Sequence, residues 1–172
     1  HLSIRRQRQM CIRDSSTFSL EELISREYIA IEKPDIVINV VDASVLERNL
    51  FFTIQLMEMR APFVICLNQV DVAKKKGITI DVSRLEAALG VPIIPTVAVR
   101  GEGIHKLMEK VVEAVEHGIE VKTNRVKYGD EVETKIQKLT QLIESKRLEL
   151  GYPSRWVAIK LLENDPEIKR LV

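Results

Sequence analysis

Asn68 and Asp71 stand three positions apart just past the apolar run Phe63-Val64-Ile65-Cys66-Leu67, and both could read a purine base. An aspartate placed there accepts two parallel hydrogen bonds from a base carrying N1–H and an exocyclic N2 amine. Guanine presents that donor pair and adenine does not. The asparagine can donate to N7 and brace neighbouring loops. A pocket built this way discriminates because the wrong base strands its acceptors, at about 1–3 kcal/mol per group. Asn-x-x-Asp alone is ordinary turn chemistry, and its position after a strand is what gives it weight. A second loop, Ala98-Val99-Arg100-Gly101, follows another apolar run. The small Ala98 would let a backbone amide approach purine O6; the plainer reading is a turn beside a core strand.

Ligands of open parallel sheets gather outside the carboxyl ends of the strands, so both loops need strands delivering them to one side. Phe63 to Leu67 reads as a strand buried on both faces. Asp35-Ile36-Val37-Ile38-Asn39-Val40-Val41-Asp42 reads as a second buried parallel strand, and Val91 to Val99 as a third, its prolines suiting a sheet edge. Helical spacing fills the intervals. A capping box at Ser19 to Glu22 opens a helix with Leu20, Leu23, Ile24, Tyr28 and Ile31 on one face, ended by Lys33-Pro34. A second box, Ser44 to Glu47, opens one striped by Leu46, Leu50, Ile54 and Met57. A lysine-rich turn (Lys74, Lys75, Lys76) and a short helix capped by Ser83 and Glu86 precede the third strand. Beyond the turn Arg100 to Gly103, Ile104, Leu107, Met108, Val111 and Val115 are expected to face the sheet from a helix stopped by Gly118. Strand and helix alternate as in βαβ units with right-handed crossovers. From Glu120 to Lys127 the chain is polar and linker-like. After it, three helical patterns follow with no strand: Asp130 to Gly151, one begun by Tyr152-Pro153-Ser154, and one opened by Asp165-Pro166.

Composition narrows the classes of partner. The 172 residues suffice for one ordinary core, and 26 basic residues nearly balance 25 acidic ones. Arg5, Arg6, Arg8 and Arg13 account for four of the basic residues, so the remaining body, with 22 against 25, has no electrostatic reason to seek nucleic acid. Cys11 and Cys66 form neither a metal nor a redox spacing, and His105 and His117 are too far apart in one helix to share a metal. No apolar stretch reaches the roughly 18–20 residues of a membrane helix.

Several stretches together resemble the cytosolic G domain of FeoB-type ferrous iron transporters. They are Val40 to Leu50 (Val-Val-Asp-Ala-Ser-Val-Leu-Glu-Arg-Asn-Leu) with Gln55-Leu56, Asn68-Gln69-Val70-Asp71-Val72-Ala73, and Ile94 to Ile104. Ser154 to Glu163 resembles the final part of that family's helical spacer. The likeness runs from about Thr17 to Val172. It implies a partial P-loop-GTPase-like α/β fold with three main parallel strands, followed by an all-helical subdomain. The expected division is 1–15, a non-native or disordered leader; 16–120, the C-terminal half of a G domain; and 121–172, a helical spacer that favours GDP and couples the G domain to a membrane pore. The guanine-binding residues implied are Asn68, Gln69, Asp71, Ala98, Val99 and Arg100, with GTP or GDP as ligand. The implied partner is the transmembrane domain of the same parent chain, at the cytoplasmic face of the bacterial inner membrane.

Departures from the family pattern shape the expectations for this chain. It contains no Gly-x-x-x-x-Gly-Lys-Ser/Thr, so the loop that cradles phosphates and the hydroxyl that holds Mg²⁺ are not among these residues. Mg²⁺ is accordingly expected in the parent protein only, and hydrolysis by this chain is not expected. Gln69 replaces a lysine common in GTPases, which implies weaker packing on the base. Ile36 to Val41 should form an apolar sheet edge able to self-associate. Two other readings stay open: a helical interaction module on a βαβ platform without nucleotide, and a GTPase of another family, which would require a basic surface.

Overall fold

The computed structural model describes residues 20–117, 126–146 and 150–172. Three strands, β1 (Val37–Asp42), β2 (Phe63–Asn68) and β3 (Ile93–Pro95), form a parallel sheet in the order β1-β2-β3. Val37 pairs with Phe63 and Asp42 with Asn68, so β1 and β2 end level. Leu67 pairs with Pro95, which brings β3 to its end on the same side. The central strand is buried on both faces from Phe63 to Leu67, as its unbroken apolar run requires. The expected three-stranded parallel α/β sheet followed by helices is thus present.

Helices α1 (Leu20–Glu32), α2 (Leu46–Glu58), α3 (Val70–Lys75), α4 (Val82–Leu89) and α5 (Ile104–His117) surround the sheet. The helical part comprises α6 (Asp130–Ser145), α7 (Ser154–Leu162) and α8 (Pro166–Leu171). One face of the sheet contributes Val41, Phe63, Ile65 and Leu67 to a core shared with Leu56 of α2, and with Ile136, Ile143, Trp156, Val157 and Ile168 of the helical part. The other face contributes Val64, Cys66 and Ile94 to a smaller cluster closed by Leu107 of α5. Sheet and helical part therefore bury their apolar surfaces against each other, which is the dominant favourable term in holding them together.

Buried charges cross the same junction. Arg155 donates from Nε to Glu58 Oε2 of α2 at 3.0 Å. It also grips Glu133 of α6 with Nη1 and Nη2, each at 2.9 Å, and reaches the Val126 carbonyl at 3.1 Å. Its hydrogen bonds to Glu133, and then to Glu58, raise the affinity of Arg155 for its proton against the opposing effect of burial. Arg26 of α1 pairs with Asp165 at 2.7 Å, both almost wholly buried. Lys160 has no exposed side-chain surface. Burial lowers its pKa, opposed by a 2.6 Å bond to Glu163.

Several expectations need correction. β1 is not buried on both faces: Asn39 and Val41 are buried, with Asn39 donating to Thr53 Oγ1 of α2 at 2.9 Å, whereas Ile38 and Val40 on the opposite face are 38% and 61% exposed. An outer strand has one neighbour fewer, and α5, which closes that face over β2 and β3 through Leu107, leaves Ile38 and Val40 only partly covered. The third strand is three residues long. Pro92 and Pro95 offer no ladder donor, and the chain leaves the sheet through a 3-10 turn at Ala98–Arg100. Ser44 does not cap α2. A 3-10 turn, Ala43–Val45, intervenes; Asp42 Oδ1 accepts from the Ser44 amide at 2.8 Å, and Lys76 Nζ donates to Ser44 Oγ at 3.1 Å. The short α4 is capped by Asp81 rather than Ser83, while the Glu86 carboxylate accepts from the Ile93 amide at 2.7 Å. The lysine-rich turn is the end of helix α3. On α5, Leu107 and Ala114 are buried but Met108 and Val115 are about half exposed. α6 closes at Ser145, short of Gly151. The capping box at Ser19, the Gly118 stop, the leader and most of the linker lie outside the described residues.

Candidate base-reading site

Strand β2 hands its last residue, Asn68, to the crevice outside the sheet, and Gln69 then adopts a left-handed conformation (φ 61°, ψ 32°). That conformation is uncommon for a residue with a side chain and costs about 1–2 kcal/mol. It turns the chain sharply into α3, and the Gln69 carbonyl accepts from the amides of Val72 and Ala73, both at 3.0 Å. Asp71 consequently sits in the first turn of α3, within reach of the strand end.

Asn68 and the second loop are joined directly. Its Oδ1 accepts from the Ala98 amide at 3.0 Å and from Thr96 Oγ1 at 3.3 Å. The Thr96 hydroxyl also lies 3.2 Å from Cys66 Sγ. With the hydroxyl proton directed at Asn68, the thiol donates, and a buried relay runs from Cys66 through Thr96 to Asn68. The carboxamide oxygen of Asn68 is thereby committed to the loop, which leaves its NH₂ group for a ligand. The Ala98 amide, too, serves the bond to Asn68 in this structure.

The turn carrying Ala98 closes on itself. The Val97 amide donates to the Glu102 carbonyl at 3.0 Å, the Arg100 amide to the Val97 carbonyl at 2.9 Å, and the Gly101 amide to the Ala98 carbonyl at 3.1 Å. Arg100 Nε pairs with Glu102 Oε1 at 2.8 Å, and its Nη2 lies 3.5 Å from Asp71 Oδ2. Val99 is 95% exposed and Gln69 is exposed as well. Of the six candidate residues, the structure links Asn68 to Ala98 and places Arg100 3.5 Å from Asp71 at the strand ends, while Gln69 and Val99 are exposed beside them. Sequence reasoning did not single out Thr96 or Glu102. A lone threonine closing an apolar run was the available signal for the first, and none pointed to the second.

No group of three or more His, Cys, Asp or Glu side chains able to hold a metal occurs among the described residues. His105 is a surface residue that lies 3.4 Å from Glu109.

Residues 12–111 match the family model described as ferrous iron transport protein B, and residues 128–172 match the FeoB cytosolic helical domain. Among curated proteins, the chain is 43% identical over 161 residues to the Fe(2+) transport protein A/Fe(2+) transporter FeoB fusion protein of Porphyromonas gingivalis, covering 91% of this chain and 19% of that one. It is 38% identical over 158 residues to the Fe(2+) transporter FeoB of Escherichia coli K12, covering 88% and 19%. The chain thus spans about a fifth of the length of these relatives. Among solved structures, the cytosolic domain of the T. maritima FeoB iron transporter in a GDP form superposes with a TM-score of 0.79 at 33% identity, covering 89% of this chain and 59% of that one. The GMPPNP-bound NFeoB of S. thermophilus gives 0.75 at 32%, covering 89% and 56%.

Proposed function

Because the chain belongs to the FeoB family of ferrous iron transport proteins, we propose that the crevice at the ends of β2 and β3 is the guanine-reading half of a GTP- and GDP-binding site. Asp71 accepts from N1–H and the N2 amine, Asn68 donates to N7 through its free NH₂, and Ala98 to Arg100 wall the O6 edge with Gln69 at the rim. The observation that carries this reading is the 3.0 Å bond from the Ala98 amide to Asn68 Oδ1, which brings two loops thirty residues apart in sequence together at the strand ends, beside Asp71. Relatives solved in GDP and GMPPNP forms support it.

The residues present do not fit a phosphate-bound Mg²⁺. The sequence lacks the Gly-Lys-Ser/Thr loop, and no carboxylate cluster takes its place among the described residues. Phosphate and metal contacts are therefore missing, and the base alone should bind this chain with a Kd on the order of 1 mM, about −4 kcal/mol. The test is NMR titration with GMP and AMP. GMP should shift the amides around Asn68, Asp71 and Ala98 at millimolar concentration, and AMP should do so far less. Asp71→Asn replaces one acceptor by a donor, which matches xanthine, with a carbonyl at C2, and repels guanine. It should lower the preference for GMP about tenfold, which corresponds to 1.4 kcal/mol. Unchanged selectivity in that variant, or micromolar uptake of GDP by calorimetry, would reject the reading.

In the longer parent protein we place this region at the cytoplasmic face of the bacterial inner membrane, with residues 121–172 linking the nucleotide site to a transmembrane domain that carries Fe²⁺. Among the described residues no helix is long and apolar enough to cross a membrane. The outer edge of β1, flanked by exposed Ile38 and Val40, is suited to pairing with a second copy. Size-exclusion chromatography should therefore show concentration-dependent association that Val40→Lys abolishes. A monomer at every concentration would contradict it.

A further inference from the structure

The N1–C2–N2 edge of guanine is chemically a guanidine, and an arginine guanidinium presents the same fork of N–H donors to a carboxylate. In this structure one nitrogen of such a fork already lies beside the group assigned to the base, Arg100 Nη2 standing 3.5 Å from both Asp71 Oδ2 and Glu102 Oε2. The Arg100 backbone is fixed by the closed turn from Val97 to Glu102, and its Nε is held at 2.8 Å by Glu102 Oε1. One side chain thus stands between two carboxylates: Asp71, which a base would need, and Glu102, which it would not. The Arg100 and Glu102 side chains are half exposed, so the pairing is solvated and reversible.

Resting on the guanine-site reading above, we propose that Arg100 is an internal competitor of guanine. Its guanidinium neutralises the Asp71 carboxylate while the crevice is empty, and an entering base displaces it toward Glu102, which keeps it clear of the base. Arg100 therefore sets how tightly guanine is held, and Glu102 sets how readily Arg100 yields. Asp71 then trades one 3.5 Å ion pair for the two N–H donors of the base, and Arg100 keeps its contacts with Glu102.

The experiment is titration of the chain and two variants with GMP, using AMP as the matched control so that any effect on the shared phosphate cancels in the ratio. Arg100→Ala should tighten GMP binding about threefold relative to AMP at low salt, as suits an exposed pair. That gain should shrink at about 0.5 M salt, where the Debye length falls to roughly 4 Å. Glu102→Gln should loosen GMP binding, since Arg100 then loses its alternative partner. In the wild-type chain the Arg100 Nε–H resonance should move as GMP is added and stay fixed with AMP. Circular dichroism confirms that the variants, both at exposed positions, retain the fold. If Arg100→Ala weakens GMP binding or leaves it unchanged while GMP is still preferred over AMP, the competitor role is wrong and the guanine site stands. If the wild-type chain shows no preference for GMP, both fall together.

Discussion

Gly103→Ala is expected to remove roughly 2–5 kcal/mol of folding stability, the sum of about 1–2 for a side chain in left-handed backbone and about 1–3 for overpacking. Gly103 has φ +79°, and a Cβ there would lie 2.3 Å from the Pro95 carbonyl oxygen, with Thr96 Cγ2 and Cα at 3.1 and 3.2 Å. Pro95 ends β3, so the obstructing atom is backbone held by the sheet and cannot swing aside. Gly101, two residues earlier, has φ +72° and nothing within 4 Å of the same position. Gly101→Ala should therefore show the backbone penalty alone. Urea denaturation of the two variants separates the terms, and equal losses would show that the close approach to Pro95 carries no energetic weight. Relief of the clash would shift the Ala98 turn off Asn68, so Gly103→Ala should also weaken GMP binding.

Asp165→Ala should destabilise the chain by roughly 3–5 kcal/mol, the usual range when one partner of a buried ion pair is removed. Asp165 Oδ2 accepts from Arg26 at 2.7 Å, and Oδ1 accepts from the amides of Glu167 and Ile168 at the start of α8, at 3.0 and 3.2 Å. The alanine leaves Arg26 buried without this carboxylate and removes the cap. Asp165→Asn keeps an oxygen for the cap and should recover about 1 kcal/mol. Burial pushes the Asp165 pKa upward, but hydrogen bonds from Arg26 and the two amides, with the Arg26 charge, outweigh it and hold the carboxyl below its ordinary value. A depressed folded-state pKa adds stability that is fully present above the unfolded value, near 4. That stability is lost as pH falls through the lower folded value. Wild-type stability should therefore drop below about pH 4 more steeply than that of Asp165→Asn. Parallel acid-unfolding curves would contradict this.

The part of the molecule legible in the sequence is the part governed by local pattern. The run from Phe63 to Leu67 announces a central strand because only a strand covered on both sides tolerates five consecutive apolar residues. Asn68 and Asp71 mark the ligand end because polar groups follow it at once. Ser44 misled because Asp42, two positions earlier, competes for the same amide and lies at a strand end that fixes its direction. Val40 reads as core in any scale, and its exposure depends on a neighbour that periodicity cannot supply. Least legible were the buried ions. Arg155 and Lys160 sit in a helix whose apolar residues were plain, but their burial depends on Glu58, 97 positions away from Arg155, and on the Trp156 ring near Lys160. Arg100 was visible as a loop residue, whereas its place between Asp71 and Glu102 required the fold.

Trp156, the chain's single tryptophan, lies fully buried where the sheet and the helical part meet. It stacks on Tyr152 at 4.5 Å, with the Arg26 guanidinium 5.2 Å and the Lys160 ammonium 5.7 Å from its ring. The protein therefore carries a built-in optical reporter. Indole emission shifts to longer wavelength when water and mobile dipoles reach the ring, so any parting of the two halves registers as a colour change from one known position, without a label.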